Sequence, residues 1–345
     1  NQITTRKLAN GLQSQYQYDA ANRLIGYISG SGHIQQVQIT YDKAGNKTAI
    51  VRPQNNSRSE YFTYDNNYRL TQYRRGPAGS PNQQHTYTYD AVGNRLTANL
   101  NGTLTSYTAN HLNQLVQKST GSTTTTLQYD DHGNLIFDGR FHKKYDADRR
   151  LLIDSVSPAE KYSYQYDAMG RRVAKTTNGQ QSQFTFAGIT PVQTWQNGQL
   201  KSSQVFTGFL KPLTININNQ QHFYFQNELG SVEAITNDNG QILERYEYEP
   251  FGRQQRLDSM GNLLAASLVG NRIGFTAQEY DSATGSNAFF FRNYQPELGV
   301  FYQRDLLGYA DGMGLYRYVG NNPANGVDIL GLRRYPPPQV EPEGA

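Results

Sequence analysis

The segment "RDLLGYADGMGLYRYVGNNPANGVDILGL", Arg304–Leu332, carries the element D-x-x-G twice. Asp305 and Asp328 stand 23 residues apart. Two carboxylates that share a water can hydrolyse a peptide. Their mutual repulsion raises one pKa, so one holds a proton while the other acts as base. Residues this far apart meet only if the chain between them folds back. "GYADGMG" supplies a turn for that, and "LYRYVGNNPANG" supplies a short strand and a second turn. The same spacing is also that of an ordinary turn, in which Asp accepts backbone N–H groups and Gly takes a left-handed conformation. Asp311, in "ADGMG", reads as a turn former.

Other chemistry is sparse. The absence of cysteine excludes disulfides, cysteine-based zinc sites and a thiol nucleophile. The histidines (His33, His85, His111, His132, His142, His222) show no metal-ligand spacing, so neither a metal nor a cofactor is expected. No phosphate-binding loop, dinucleotide fingerprint or G-x-S-x-G elbow occurs. The formal net charge is +4, with Lys and Arg scattered, which predicts a mildly basic surface and no nucleic-acid partner. "LLAASLVG" (Leu263–Gly270) is far too short for a membrane span. "AFFFRNY" could stack sugars, but reads as a β core. No secretory signal is legible. The start at Asn1 leads to the expectation of a piece of a longer polypeptide.

The elements that must position the aspartates announce themselves as a repeat. "YQYDAANRL" begins at Tyr16, and "ITYDKAGNK", "FTYDNNYRL", "YTYDAVGNRL", "LQYDDHGNL", "KKYDADRRL" and "YQYDAMGRRV" follow. Asp19, Asp42, Asp65, Asp90, Asp130, Asp146 and Asp167 mark the register, and "SYTANHLNQL" is a degenerate copy with Asn110 in the Asp place. In "Y-x-Y-D" both tyrosines lie on one face of a strand. Asp then opens a turn and "R-L" begins the return strand. Each unit is a hairpin that cannot bury its own face, so neighbours stack into a continuous sheet with a ladder among the 26 tyrosines. These aspartates read as turn formers. The expected organisation is a hairpin array over residues 1–180 and a strand-rich continuation over 181–270. A distinct core follows over 271–332, and a Pro-rich tail over 333–345 leads into sequence not present here.

Together these motifs resemble the rearrangement-hotspot (RHS), or YD-repeat, family. "NELGSVEAITNDNGQILERYEYEPFGR" resembles its L-G-S…Y-x-Y-x-P-F-G block, and residues from "YDSATGSNAFFFRNYQPELGVFYQRD" onward resemble the RHS-associated core. The resemblance implies an all-β fold in which YD-repeat hairpins form a spiralling β-sheet shell, or cocoon, capped by that core. In the C component of insecticidal Tc complexes and in type VI RHS effectors, such a shell encloses a C-terminal toxin, and the core is an aspartyl autoprotease. Carried over, Asp305 and Asp328 are the catalytic aspartates, Arg292 is an associated core arginine, and the cut falls between Leu332 and Arg333. That bond lies four residues beyond Asp328, so proximity would be built in. The implied partners are the enclosed toxin polypeptide, the rest of the shell (N-terminal sequence or a B-type component) and a delivery apparatus, with the protein secreted or delivered to another cell. Leu306 and Ile329 stand where the family has proline, which leaves both Asp backbones less constrained. The alternative is a non-proteolytic YD-repeat surface module that binds partners or glycans.

Overall fold

The computed structural model describes residues 4–30 and 33–337. The last residues of the Pro-rich tail therefore lie outside the described residues. The fold is nearly all β. Twelve strands, from Thr5–Lys7 to Thr123–Thr126, pair in strict chain order, and fourteen more, from Gln128–Tyr129 to Gln254–Asp258, do the same. The pairings are antiparallel throughout, and the ladder divides at Leu127. Thr5–Lys7 is an edge, paired only with Gln13–Tyr18 among the described strands. A four-stranded sheet (Glu279–Asp281, Ser286–Ala288, Asn293–Gln295, Val300–Phe301) and a two-stranded ribbon (Val327–Asp328, Arg334–Tyr335) follow.

Strand alternation and turn chemistry both follow from the repeat. In Gln83–Tyr89 the side chains of His85, Tyr87 and Tyr89 turn inward, while Gln84 and Thr88 face outward. Each YD aspartate then closes its own hairpin. Asp65 Oδ1 accepts the N–H groups of Asn67 (2.9 Å) and Arg69 (3.0 Å), and its Oδ2 takes Arg69 Nε (2.7 Å). Asp19, Asp146 and Asp167 are built the same way with Arg23, Arg150 and Arg171. Asp42, Asp90 and Asp130 use Asn46, Asn94 and Asn134. The third turn residue has positive φ, which accounts for Gly45, Gly93 and Gly133 in that place. In most repeats the tyrosine just before the Asp reaches back to the previous hairpin, although the Tyr18 and Tyr129 hydroxyls have no such partner. Tyr41 donates to the Leu24 carbonyl, Tyr64 to Lys47 and Tyr89 to Leu70. The repeat therefore sets both the turn and the spacing to its neighbour. The turn persists past residue 180 with Asn227, Asn237 and Asp258, although the Y-D signature has gone.

The core lies on the inner face. Leu70, Tyr73, Leu135 and Leu151 are fully buried there, together with Leu298, Tyr302, Leu315 and Tyr316 of the C-terminal core. The C-terminal segment is thus packed against the buried face of the wall. Its asparagines cap hairpin turns: Asn321 Nδ2 donates to the Gly93 carbonyl, and Asn325 Oδ1 accepts from Lys47 N–H. The two large sheets also meet through buried ion pairs. Glu233 receives Arg52 and Arg58, and Glu247 receives Arg58 and Arg75.

Candidate functional site: two aspartates on one arginine

Asp305 follows strand Val300–Phe301 and opens a turn, with its Oδ1 accepting the Leu307 N–H at 2.8 Å. The chain to Asp328 returns through two short 3-10 turns, Gly308–Asp311 and Val319–Asn321. A single bridge, Val300 to Arg317, stands where a short strand was expected. The side chain of Asp311 lies outside the described residues. Asp328 ends a two-residue strand that pairs with Arg334–Tyr335, so residues 329–333 form the loop of a tight hairpin. Its Oδ1 accepts the N–H groups of Gly331 (2.7 Å) and Leu332 (2.9 Å). Leu332 is half-buried and Arg333 exposed.

Arg292 joins the two turns. It sits between strands Ser286–Ala288 and Asn293–Gln295, and its guanidinium lies 3.7 Å from the Phe301 ring centroid. One nitrogen, Nη2, contacts both carboxylates: Asp305 Oδ2 at 2.8 Å and Asp328 Oδ2 at 3.3 Å. Nη1 donates to the Leu315 carbonyl at 3.1 Å and Nε to the Gly331 carbonyl at 2.5 Å. All three charged side chains are buried. A single guanidinium thus holds two like charges together and also grips the loop that carries the Leu332–Arg333 bond. Burial pushes the Asp328 carboxyl above the usual aspartate range. Arg292 and the N–H groups of Leu332, Gly331 and Arg333 oppose that rise without cancelling it.

The three residues singled out in the sequence therefore converge, within one hairpin loop of the expected bond. Sequence reasoning missed two loop holders. Gln278, buried in a segment with positive φ at Thr276 and Ala277, donates to the Ile329 carbonyl at 3.0 Å. Phe291 N–H donates to the Leu330 carbonyl at 3.0 Å. Nothing in the local sequence marks Gln278. The "FFF" run does mark a buried cluster, since Phe289 packs on Tyr294, Phe301 and Tyr318. No group of His, Asp and Glu suited to a metal ion occurs among the described residues. No described helix is long and apolar enough to cross a membrane.

The model of the Teneurin YD-shell family matches residues 14–324. The chain belongs to that family. The YD repeat read from the sequence and the shell-type fold are thereby established, and curated relatives carry the same repeat. The tRNA nuclease WapA of Bacillus subtilis (strain 168) is 28% identical over 251 residues, covering 70% of this chain and 10% of its own length. The probable deoxyribonuclease RhsA of Dickeya dadantii is 26% identical over 357 residues, 95% of this chain and 23% of its own length. Toxin subunit YenC1 of Yersinia entomophaga is 24% identical over 391 residues, 91% of this chain and 39% of its own length. The chain thus spans well under half of each relative. Among solved structures, the TcdB2-TccC3-Cdc42 crystal structure superposes with a TM-score of 0.58 at 19% identity, over 94% of this chain and 21% of that one. That likeness is one of fold.

Proposed function

We propose that this chain is a wall and plug segment of an RHS-type toxin shell, and that its core cuts the chain after Leu332. The shell acts by enclosure: a C-terminal toxin polypeptide held inside cannot reach its target until it is delivered to another cell. The rest of the shell and a delivery apparatus are the further partners. The observation that carries the proteolytic part is the sharing of Arg292 Nη2 by Asp305 and Asp328, beside a loop whose amides rest on Asp328. In this reading Asp305 takes a proton from the attacking water, which adds to the Leu332 carbonyl. Asp328 gives its proton to the departing Arg333 nitrogen, leaving a carboxylate and an amine. Arg292 holds the two acids close enough to act on one bond.

The test is the intact mass of the chain carrying a tag beyond Ala345. The parent chain loses everything after Leu332. Asp305→Asn and Asp328→Asn keep the turns but remove the ionisable groups, and slow tail loss roughly 10²–10⁴-fold. Because the Asp328 carboxyl is raised, its acid form persists to higher pH than in an ordinary aspartate, and tail loss slows as pH rises through that value. A parent chain that stays whole for days at neutral and mildly acidic pH refutes the proteolysis. The duplicated motif would then serve only to plug the shell.

A further inference from the structure

A second buried group of acids and base, sharing no residue with the site above, lies in hairpin His142–Tyr145 and Leu151–Ser155. Lys143 and Asp154 face each other directly across these antiparallel strands. Lys143 Nζ lies 2.8 Å from Asp154 Oδ1 and 2.5 Å from Asp138 Oδ2. The side chains of Lys143 and Asp154 have no solvent exposure, and that of Asp138 has 6%. The Phe141 and Tyr302 rings flank the amine, with centroids 5.2 and 4.6 Å from Nζ. Asp154 Oδ2 and the Tyr302 hydroxyl are both buried without a hydrogen-bond partner.

This is an unusual place for a plain ion pair. One ammonium cannot neutralise two carboxylates, and a surplus buried charge is costly. The two acids are also held differently. Asp138 Oδ1 is tied down by the N–H groups of Arg140 (2.9 Å) and Phe141 (2.8 Å), so Oδ2 is presented to Nζ as an acceptor. Asp154 has no backbone donor among its hydrogen bonds, and burial raises its carboxyl above the usual range. A neutral acid next to an amine, with a carboxylate placed to take the proton of that amine, is an arrangement suited to amide formation.

We propose that Lys143 and Asp154 join in an intramolecular isopeptide bond, with Asp138 as the base. Asp138 Oδ2 takes a proton from the Lys143 ammonium, and Nζ attacks Cγ of the protonated Asp154. A C–N bond forms and the C–OH bond breaks. The Asp154 hydroxyl leaves with a second amine proton as water, the third stays on the amide nitrogen, and the proton taken up by Asp138 is released to solvent. No oxidant or cofactor is needed. Fixed geometry replaces the high concentration such a reaction needs in solution, and a dry site favours loss of water. The bond would tie neighbouring strands of a wall whose hairpins are otherwise held by hydrogen bonds and side-chain packing.

The test is mass spectrometry on the folded full chain and on its proteolytic peptides. The expected result is a mass lower by one water. A branched peptide should link the segment around Lys143 to the one around Asp154. Lys143→Arg should restore the full mass, and Asp138→Asn should leave most of the chain unlinked. Chain denatured before it has folded should show no link. A folded parent chain at its full sequence mass, with separate peptides for the two segments, overturns the proposal without any variant. A water loss that maps elsewhere or survives Lys143→Arg overturns it equally.

Discussion

Replacing Glu233 by Gln should make the protein less stable at neutral pH and less sensitive to acid. Glu233 is buried where the two large sheets meet. It accepts Arg52 Nε (3.2 Å) and Nη2 (3.0 Å), Arg58 Nη2 (3.2 Å) and Gln35 Nε2 (2.5 Å). Burial alone would raise its pKa, but the two guanidinium groups and Gln35 outweigh it and draw the carboxyl from 4.5 down to about 2. A shift of that size corresponds to on the order of 3 kcal/mol at neutral pH. The folded value is the lower one. The stabilisation is therefore fully present above the unfolded value near 4.5 and is lost as pH falls towards 2. Glu233→Gln leaves Arg52 and Arg58 facing a neutral amide, so the cost at neutral pH is about 3 kcal/mol or somewhat more. Urea unfolding of both proteins at a series of pH values isolates this term, because the other acids, such as Glu60, are common to both. The gap between them should close to about 1 kcal/mol or less as pH approaches 2. A gap that stays constant across the range would mean that the Glu233 charge contributes nothing to joining the sheets.

Three further changes test how the C-terminal core meets the wall. Gly133 has φ +81°, and a Cβ there would come within 2.6 Å of the Tyr316 hydroxyl, which donates to the Gly133 carbonyl. Gly133→Ala should therefore cost about 1–3 kcal/mol and loosen the core, seen as faster amide exchange across residues 298–325. Gly45→Ala has a similar φ but nothing within 4 Å, so it should lose only about 1 kcal/mol and leave exchange in the core unchanged. Tyr309 is exposed and stands four residues after Asp305, where repeat turns place Arg. Tyr309→Arg should offer Asp305 a local partner in competition with Arg292. It should slow tail loss with little change in urea midpoint, and an unchanged rate would show that the shared contact does not govern cleavage.

Legibility differed sharply between parts of the molecule. The hairpins were readable because each is local. Asp, the positive-φ residue and the Arg or Asn that follows all lie within five residues, and the alternation of tyrosines fixes the inner face. The continuation past residue 180 was harder to see, because Asn227 and Asn237 build the same turn without the Y-D signature. The ion pairs between the sheets were invisible. Arg52 and Glu233 are 181 residues apart, and nothing near either one announces the other. In the candidate site, Asp305, Asp328 and Arg292 were found because a family resemblance carried them. Gln278 has no such mark, since its side-chain amide donates to a backbone carbonyl 51 residues away. The run "GNNPAN" was legible as polar turn material, whereas its work of capping distant hairpins depends on how the core folds into the wall.

The repeated D-x-x-G has a structural answer in the side chain four residues on. In the wall turns, Asp Oδ1 accepts backbone N–H groups and Oδ2 is taken by an Arg or Asn at the fourth position, as with Arg69 or Asn94. Asp305 and Asp328 keep the first half of this pattern, with Oδ1 on Leu307 N–H in one case and on Gly331 and Leu332 N–H in the other. At the fourth position they have Tyr309 and Leu332. Leu332 has no side-chain donor to reach its Oδ2, and the exposed Tyr309 stands where an Arg or Asn would close the pair. Both outer oxygens turn instead to Arg292, which comes from another strand connection. The same turn that closes a hairpin thus becomes a means of bringing two carboxylates to one point. Hydrogen bonds from the following N–H groups to each Asp Oδ1 hold these turns closed, where a proline would otherwise constrain the Asp backbone. The missing prolines at Leu306 and Ile329 therefore do not leave the two acids unplaced. The distinguishing feature is the loss of the local cation or amide, which leaves one oxygen of each aspartate to be paired at long range.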